Sequence, residues 1–236
     1  MSGIYINMAR RYGKRKYYGN RKKDPFYRFN KGDSIAIKAL KMASNVKRAL
    51  NVEFKESIVD QNIPNVTAAA TVANSQIWCL NGLTQGIGSA QREGNQVEFK
   101  SLSIHGWFAG TSTTDHIARL ILFKVKGLNG ATPTQAELLD GASAPAILDF
   151  YNLDNVPQNY QVLADKTYSL HYNNDQFKKF SLHLNDMNCK TRYQGTSSAY
   201  TDISTNAIFA MVVVTDLTGA PAADMRVVSR IRYVDN

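Results

Sequence analysis

Positive charge in this chain is crowded into one end, and that asymmetry decides what each part is able to fold into. Residues 1 to 48 hold 14 of the 28 lysines and arginines against two acids, Asp24 and Asp33, and so carry +12. Residues 49 to 236 hold the other 14 against 17 acids and carry −3. A segment that repels itself this strongly buries too little apolar surface to offset its ordering entropy, so residues 1 to 31 are expected to be disordered when free. The nearly neutral remainder is long enough to enclose a core. An arm (residues 1 to 48) and a body (residues 49 to 236) are therefore the expected domains.

Within the arm, Tyr and Phe residues are interleaved with the basic clusters Arg10-Arg11, Lys14-Arg15-Lys16 and Arg21-Lys22-Lys23. From Ser34 to Leu50 the pattern becomes helical: Ala36, Leu40, Ala43, Val46 and Leu50 share one side, while Lys38, Lys41, Asn45 and Arg48 share the other. The spacing predicts an amphipathic helix over about 34 to 50 capped by Asp33 or Ser34, with Lys47 misplaced on its apolar side.

Beyond residue 50 the periodicity is that of strands, and it predicts them near 52–60, 97–108, 117–126, 160–164, 167–173, 178–185, 206–215 and 225–234. Apolar parity shifts from Val97 and Phe99 to Leu102 and Ile104, which predicts a β-bulge around Lys100 and Ser101. Phe180, Leu182 and Leu184 alternate with Lys179, Ser181 and His183, the mark of a half-buried strand. Leu120 to Val125 and Ala207 to Val214 are apolar on both faces and demand cover on two sides, with the second cover coming from a loop or another subunit. In the long connection between, Asn129-Gly130 reads as a turn. Pro133 at a first helical position, a Thr134 to Glu137 capping box and Gly141 describe a short helix. Eight strands with long crossovers give an all-β class: a single eight-stranded antiparallel jelly roll of two four-stranded sheets, with a basic, partly helical arm.

Catalytic chemistry is missing from the pattern. Gly86-Ile87-Gly88-Ser89-Ala90-Gln91 has Gln where a dinucleotide fingerprint needs its third glycine, and it precedes a strand. His105, His116, His171 and His183 form no metal-binding pair by spacing, and no nucleophile elbow is present. The expectation is a protein that is not an enzyme and takes no cofactor. Cys79 and Cys189 are too few for a disulfide framework, which suits a reducing compartment. No apolar stretch approaches the roughly 20 residues of a membrane span, so no membrane insertion is expected, nor a secretory signal.

What the arm offers is phosphate binding. Arg10, Arg11, Lys14, Arg15, Lys16, Arg21, Lys22, Lys23, Arg28, Lys31, Lys38, Lys41 and Arg48 supply cations, and Tyr17 and Tyr18 supply rings that stack on unpaired bases. That combination suits non-specific binding of single-stranded nucleic acid. The same clusters read equally as a nuclear localisation signal. In the last predicted strand Arg226, Arg230 and Arg232 share a face with Val228, opposite Met225, Val227, Ile231 and Tyr233. Two readings stand for that row: contact with a lumen or a neighbouring subunit, or a solvated face pairing with acids.

Several stretches resemble, in order, one viral family. Leu83 to Val97, with Gln91-Arg92-Glu93-Gly94 at its centre, leads into Phe99 to Gly106 as does the Gly-rich approach to strand C of satellite tobacco necrosis virus-like coat proteins. Such proteins occur in plant satellite viruses and in small circular Rep-encoding single-stranded DNA (CRESS-DNA) viruses. Arg119 to Phe123, then Asn129 to Thr134 with Glu137-Leu138-Leu139, resembles their strand D and following helix. Phe150 to Asn155 and Tyr160 to Leu170 resemble their turn and E to F hairpin, and Arg230 to Asp235 their closing strand I. The resemblance covers most of residues 50 to 236. It implies a capsid protein of the smallest (T=1) icosahedral shell that self-assembles with the arm inside, in the virion and, during assembly, in the host nucleus. It implies itself and single-stranded nucleic acid as partners, DNA rather than RNA on the Asn-Gly-Ala-Thr-Pro-Thr and Asp-Lys-Thr forms, with a host receptor and nuclear import machinery as further partners. Some family members bind interface cations through carboxylates. Asp235 and Glu53 stand where such ligands lie, and the metal question stays open. The alternative is a monomeric nucleic-acid- or glycan-binding β-sandwich.

Overall fold

The computed structural model describes residues 39, 42, 54–111, 113–127, 131–141, 146–172, 176–215 and 223–235. The chain divides into two units, Met1–Val52 and Glu53–Asn236. In the first, Ala39 and Met42, inside the predicted helix, are both helical. The Asn129-Gly130 turn lies outside the described residues.

The described residues of the second unit form nine strands: β1 (Phe54–Val66), β2 (Ile77–Cys79), β3 (Gln96–Gly110), β4 (His116–Gly127), β5 (Tyr160–Leu170), β6 (Phe177–Leu184), β7 (Cys189–Tyr193), β8 (Ile203–Thr215) and β9 (Ala223–Asp235). Eight of them form two antiparallel four-stranded sheets, β1-β9-β3-β6 and β2-β8-β4-β5. This is the jelly-roll order, since each sheet alternates early and late strands. The ninth, β7, is an addition. It pairs with the start of β3 through Gln96 to Phe99 and with the start of β8 through Thr205 and Ile203, joining the two sheets at one end.

Two strands escaped sequence reading because they are three and five residues long, too short for a period to show. Missing β2 also displaced the lettering by one: the strand matched to family strand C is third in the chain, and the one matched to D is fourth. The predicted pair 160–164 and 167–173, matched to a hairpin, is one strand of 11 residues, with a register irregularity opposite Leu122 and Phe123 and no turn. The first strand runs on to Val66, well past the expected 60. By contrast the bulge at Lys100 stands where the parity shift puts it, with β3 and β9 changing register between Phe99 and Ser101.

Between the sheets, Phe108 and Phe180 from one sheet meet Tyr168 from the other at ring separations of 5.6 and 5.4 Å. Gly106 makes this possible. A β-carbon there would stand 2.6 Å from the Arg226 carbonyl oxygen and 2.6 Å from Phe180 Cζ, so only glycine admits the ring.

The outer face of the second sheet is covered by the chain's own connection, which removes the case for a second subunit there. Phe123 and Phe209 stack at 5.8 Å, with Tyr160 and Tyr200 edge-on to them at 5.9 and 6.0 Å. Each tyrosine hydroxyl then reaches the connection: Tyr160 donates to Glu137 at 2.8 Å, and Tyr200 shares a 2.9 Å hydrogen bond with Thr132. Helix α1 (Gln135–Leu138) has the predicted capping box between Thr134 and Glu137, but Pro133 precedes the cap instead of occupying the first helical position. The helix ends at Leu138 with Leu139 as its C-cap, before Gly141.

Candidate functional site

The predicted nucleic-acid contacts Arg10, Arg11, Lys14, Arg15, Lys16, Tyr17, Tyr18, Arg21, Lys22, Lys23, Arg28, Lys31, Lys38, Lys41 and Arg48 all lie outside the described residues, as does Glu53. The described body presents two other surfaces with chemistry of their own.

One is the loop after α1. Arg119 of β4 is buried and its guanidinium spans the loop base, donating through Nε and Nη2 to both carboxylate oxygens of Asp165 (3.1 and 2.8 Å) and through Nη1 to the carbonyls of Ala146 and Asp149 (3.0 and 2.8 Å). Tyr151 donates its hydroxyl to the same carboxylate. Asp149 accepts from the Gly141 amide, Asp140 donates its amide to the Phe150 carbonyl, and Asn152 donates to that of Leu138. Burial would raise the Asp165 pKa, but the hydrogen bonds from Arg119 and Tyr151 outweigh it and hold the carboxyl below its usual range. Burial together with the Asp165 charge pushes Tyr151 up to about 12, so this trio keeps one charge state across ordinary pH.

On that tied base Leu148, Phe150 and Leu153 point outward, 66%, 82% and 82% exposed. Large apolar side chains held out on a rigid backbone suit protein–protein contact, because little entropy remains to be lost on docking. Sequence reasoning missed this loop. Its signal is Arg119 itself, a cation set directly before the apolar run Leu120 to Phe123 and buried in the fold.

The other surface is the outer face of β1-β9-β3-β6. Arg226 pairs with Asp60 at 3.1 Å, and Arg232 and Arg230 approach Glu56 at 3.1 and 3.8 Å, so the solvated, acid-paired reading of the arginine row holds within the body. Across β3 and β6 the fold brings together His105 and His183, which sequence spacing left apart, with ring centroids 5.0 Å from each other. His183 also contacts the hydroxyls of Ser103 and Ser181 at 3.1 and 3.0 Å.

At the end of β9, Asp235 accepts from Lys55 Nζ at 3.4 Å and from the amides of Glu93 and Gly94, while Lys55 bonds Glu93 at 2.8 Å. The Asp235 carboxylate is thus paired with a lysine ammonium. Among the described residues no group of three or more His, Cys, Asp or Glu is arranged to hold a metal. Arg92 of the Gln-Arg-x-Gly stretch is fully buried and donates to the carbonyls of Leu83, Gly94 and Gly195 with its guanidinium 4.3 Å from the Tyr193 ring centre, which fastens the Gly-rich loop to β7. Cys79 and Cys189 are free, and burial raises both thiols, the opposite of an activated nucleophile. No described helix is long and apolar enough to cross a membrane.

The satellite tobacco necrosis virus coat protein family matches residues 31–236. The capsid protein of Satellite tobacco necrosis virus 1 is 27% identical over 179 residues, covering 74% of this chain and 85% of that protein. Among solved structures the chain is similar to Desmodium yellow mottle tymovirus, at 8% identity and a TM-score of 0.34, covering 78% of this chain and 87% of the other. It is also similar to a KBV activated particle at acidic pH, at 12% identity and a TM-score of 0.35, covering 99% and 84%.

Proposed function

The chain belongs to the satellite tobacco necrosis virus coat protein family, and from that premise we propose that it is the self-assembling subunit of a small icosahedral virion whose basic arm packages single-stranded nucleic acid, DNA rather than RNA. The family match over residues 31–236 carries the reading. The body supports it by presenting Leu148, Phe150 and Leu153 on a braced loop, a surface suited to a neighbouring copy. The arm supports it by composition, with fourteen cations in 48 residues and stacking rings among them. The same clusters serve nuclear import during assembly. The protein is structural rather than catalytic.

Sizing of the purified full chain by sedimentation, with electron micrographs of the fastest species, tests assembly. Closed particles are expected. A monodisperse monomer at high concentration, with and without oligonucleotide, would support the monomeric β-sandwich reading instead. Packaging is tested by deleting residues 1 to 31, which removes ten cations. Each phosphate contact contributes about 0.7 to the slope of log affinity against log salt for single strands, so the slope should flatten by several units. An unchanged slope would remove the arm from the binding.

A further inference from the structure

We propose that Trp107, on the outer face of β3, is a base-stacking subsite through which the body itself holds unpaired nucleotides of a single-stranded nucleic acid; this rests on the packaging reading above and extends it from the arm to the body. Strand register places Arg226 of β9 opposite Trp107 on one side and Lys179 of β6 opposite it on the other. With strands about 4.8 Å apart, the two cations flank one aromatic platform at a separation of about 10 Å between backbones. The Trp107 ring lies against Phe177 at 5.2 Å, and Phe177 is 47% exposed, so the platform is two rings wide and open to solvent. A shallow depression lined by His105, Gly106, Trp107, Lys179, Arg226 and Val228 occupies the same place.

Charge on this face is graded, and the gradient identifies the occupant. Among the described residues its outward carboxylates are Glu56 and Asp60 on β1, Glu98 near the start of β3 and Asp224 at the start of β9, whose carboxylate accepts from the Asn65 amide at 2.9 Å. From β3 past its bulge and from β6 the outward described residues are Ser101, Ser103, His105, Trp107 and Ala109 with Phe177, Lys179, Ser181 and His183, and none of these is an acid; Glu98, nine residues before Trp107 on β3, is paired with Lys100 at 2.6 Å. The platform therefore sits on the cationic side of the sheet. Arg226 is bonded to Asp60, but both side chains are half exposed, and a solvated ion pair of this kind is weak, so a phosphate readily displaces the carboxylate. A flat ring with cations on either side is the arrangement that takes a base on its face and the adjoining phosphates at its edges.

The full chain is titrated with oligo(dT), with an abasic deoxyribose-phosphate oligomer of equal length and with duplex DNA, while tryptophan emission is followed. Subtracting the Trp107→Leu signal isolates Trp107 from the buried Trp78. Oligo(dT) should quench Trp107, and the abasic and duplex probes should not. Trp107→Leu should weaken oligo(dT) binding about 10-fold at an unchanged salt slope, with Trp107→Tyr recovering most of it. The pair Lys179→Gln and Arg226→Gln should lower the slope by about 1.4. Unquenched emission alongside steep, salt-sensitive binding would overturn the subsite and leave the arm's role standing. Absence of binding to any probe would overturn both. Emission that follows protein concentration instead of oligonucleotide would make the platform a contact between copies and reject the proposal.

Discussion

Two buried arginines organise the body, and each does so differently. Arg92 satisfies backbone carbonyls, whereas Arg119 satisfies a carboxylate and carbonyls together. The pair with Asp165 has a pH signature. Because the folded-state pKa of Asp165 lies below the unfolded value of about 3.9, its contribution is complete above that pH and is lost as pH falls through the folded value. Thermal unfolding between pH 2 and 6 should therefore show a shallower acid-side loss for Asp165→Asn than for the wild type, with the variant less stable near neutrality. Identical acid-side slopes would mean that the carboxylate is not engaged as the distances imply. At this scale the sequence was legible only in part. Gln-Arg-x-Gly stands out as a motif, but burial of Arg92 depends on Gly195, a hundred residues away, which no local pattern encodes.

Elements were legible wherever their length allowed a period to repeat. The alternation of β6 and the parity shift of β3 translate directly into the observed burial and bulge. The three residues of β2 and five of β7 do not, since they are set by pairing with β8 and β3 and not by their own composition. Glycine marks an element-level constraint that alternation alone cannot weigh. Gly106→Ala should cost about 1–3 kcal/mol, because the added carbon meets a carbonyl and the Phe180 ring. Gly127→Ala, at the end of β4 with open space around it, should change stability by less than about 0.5 kcal/mol. Urea midpoints of the two variants check the contrast, and equal effects would mean that Phe180 yields its position freely.

For the whole molecule, the division between a cationic arm and a near-neutral body is written in composition and was readable at once. The surfaces of the body were not, because Leu148, Phe150 and Leu153 acquire meaning only when Arg119 ties down their loop, and Trp107 only when register brings Arg226 and Lys179 beside it. Replacing Phe150 and Leu153 by Asp should leave the melting temperature near that of the wild type, since both side chains are 82% exposed, and should abolish particles in sedimentation. Particles that persist would move the assembly contact elsewhere.

Strand β7 belongs to both sheets, with Arg192 opposite Gln96 on one side and Thr205 on the other, and the buried Asn81 amide ties it further by donating to Thr191 and to the Asn206 carbonyl. The sandwich is thus a book with its spine at that end. Strain on a closed particle parts the covers along the opposite margin, where a single strand end is tied across by the Val214 amide donating to the Thr67 carbonyl at 3.1 Å and no strand is shared. Any swelling of the shell would begin at that margin, and the amides of β7 would be the last in the body to exchange with deuterium.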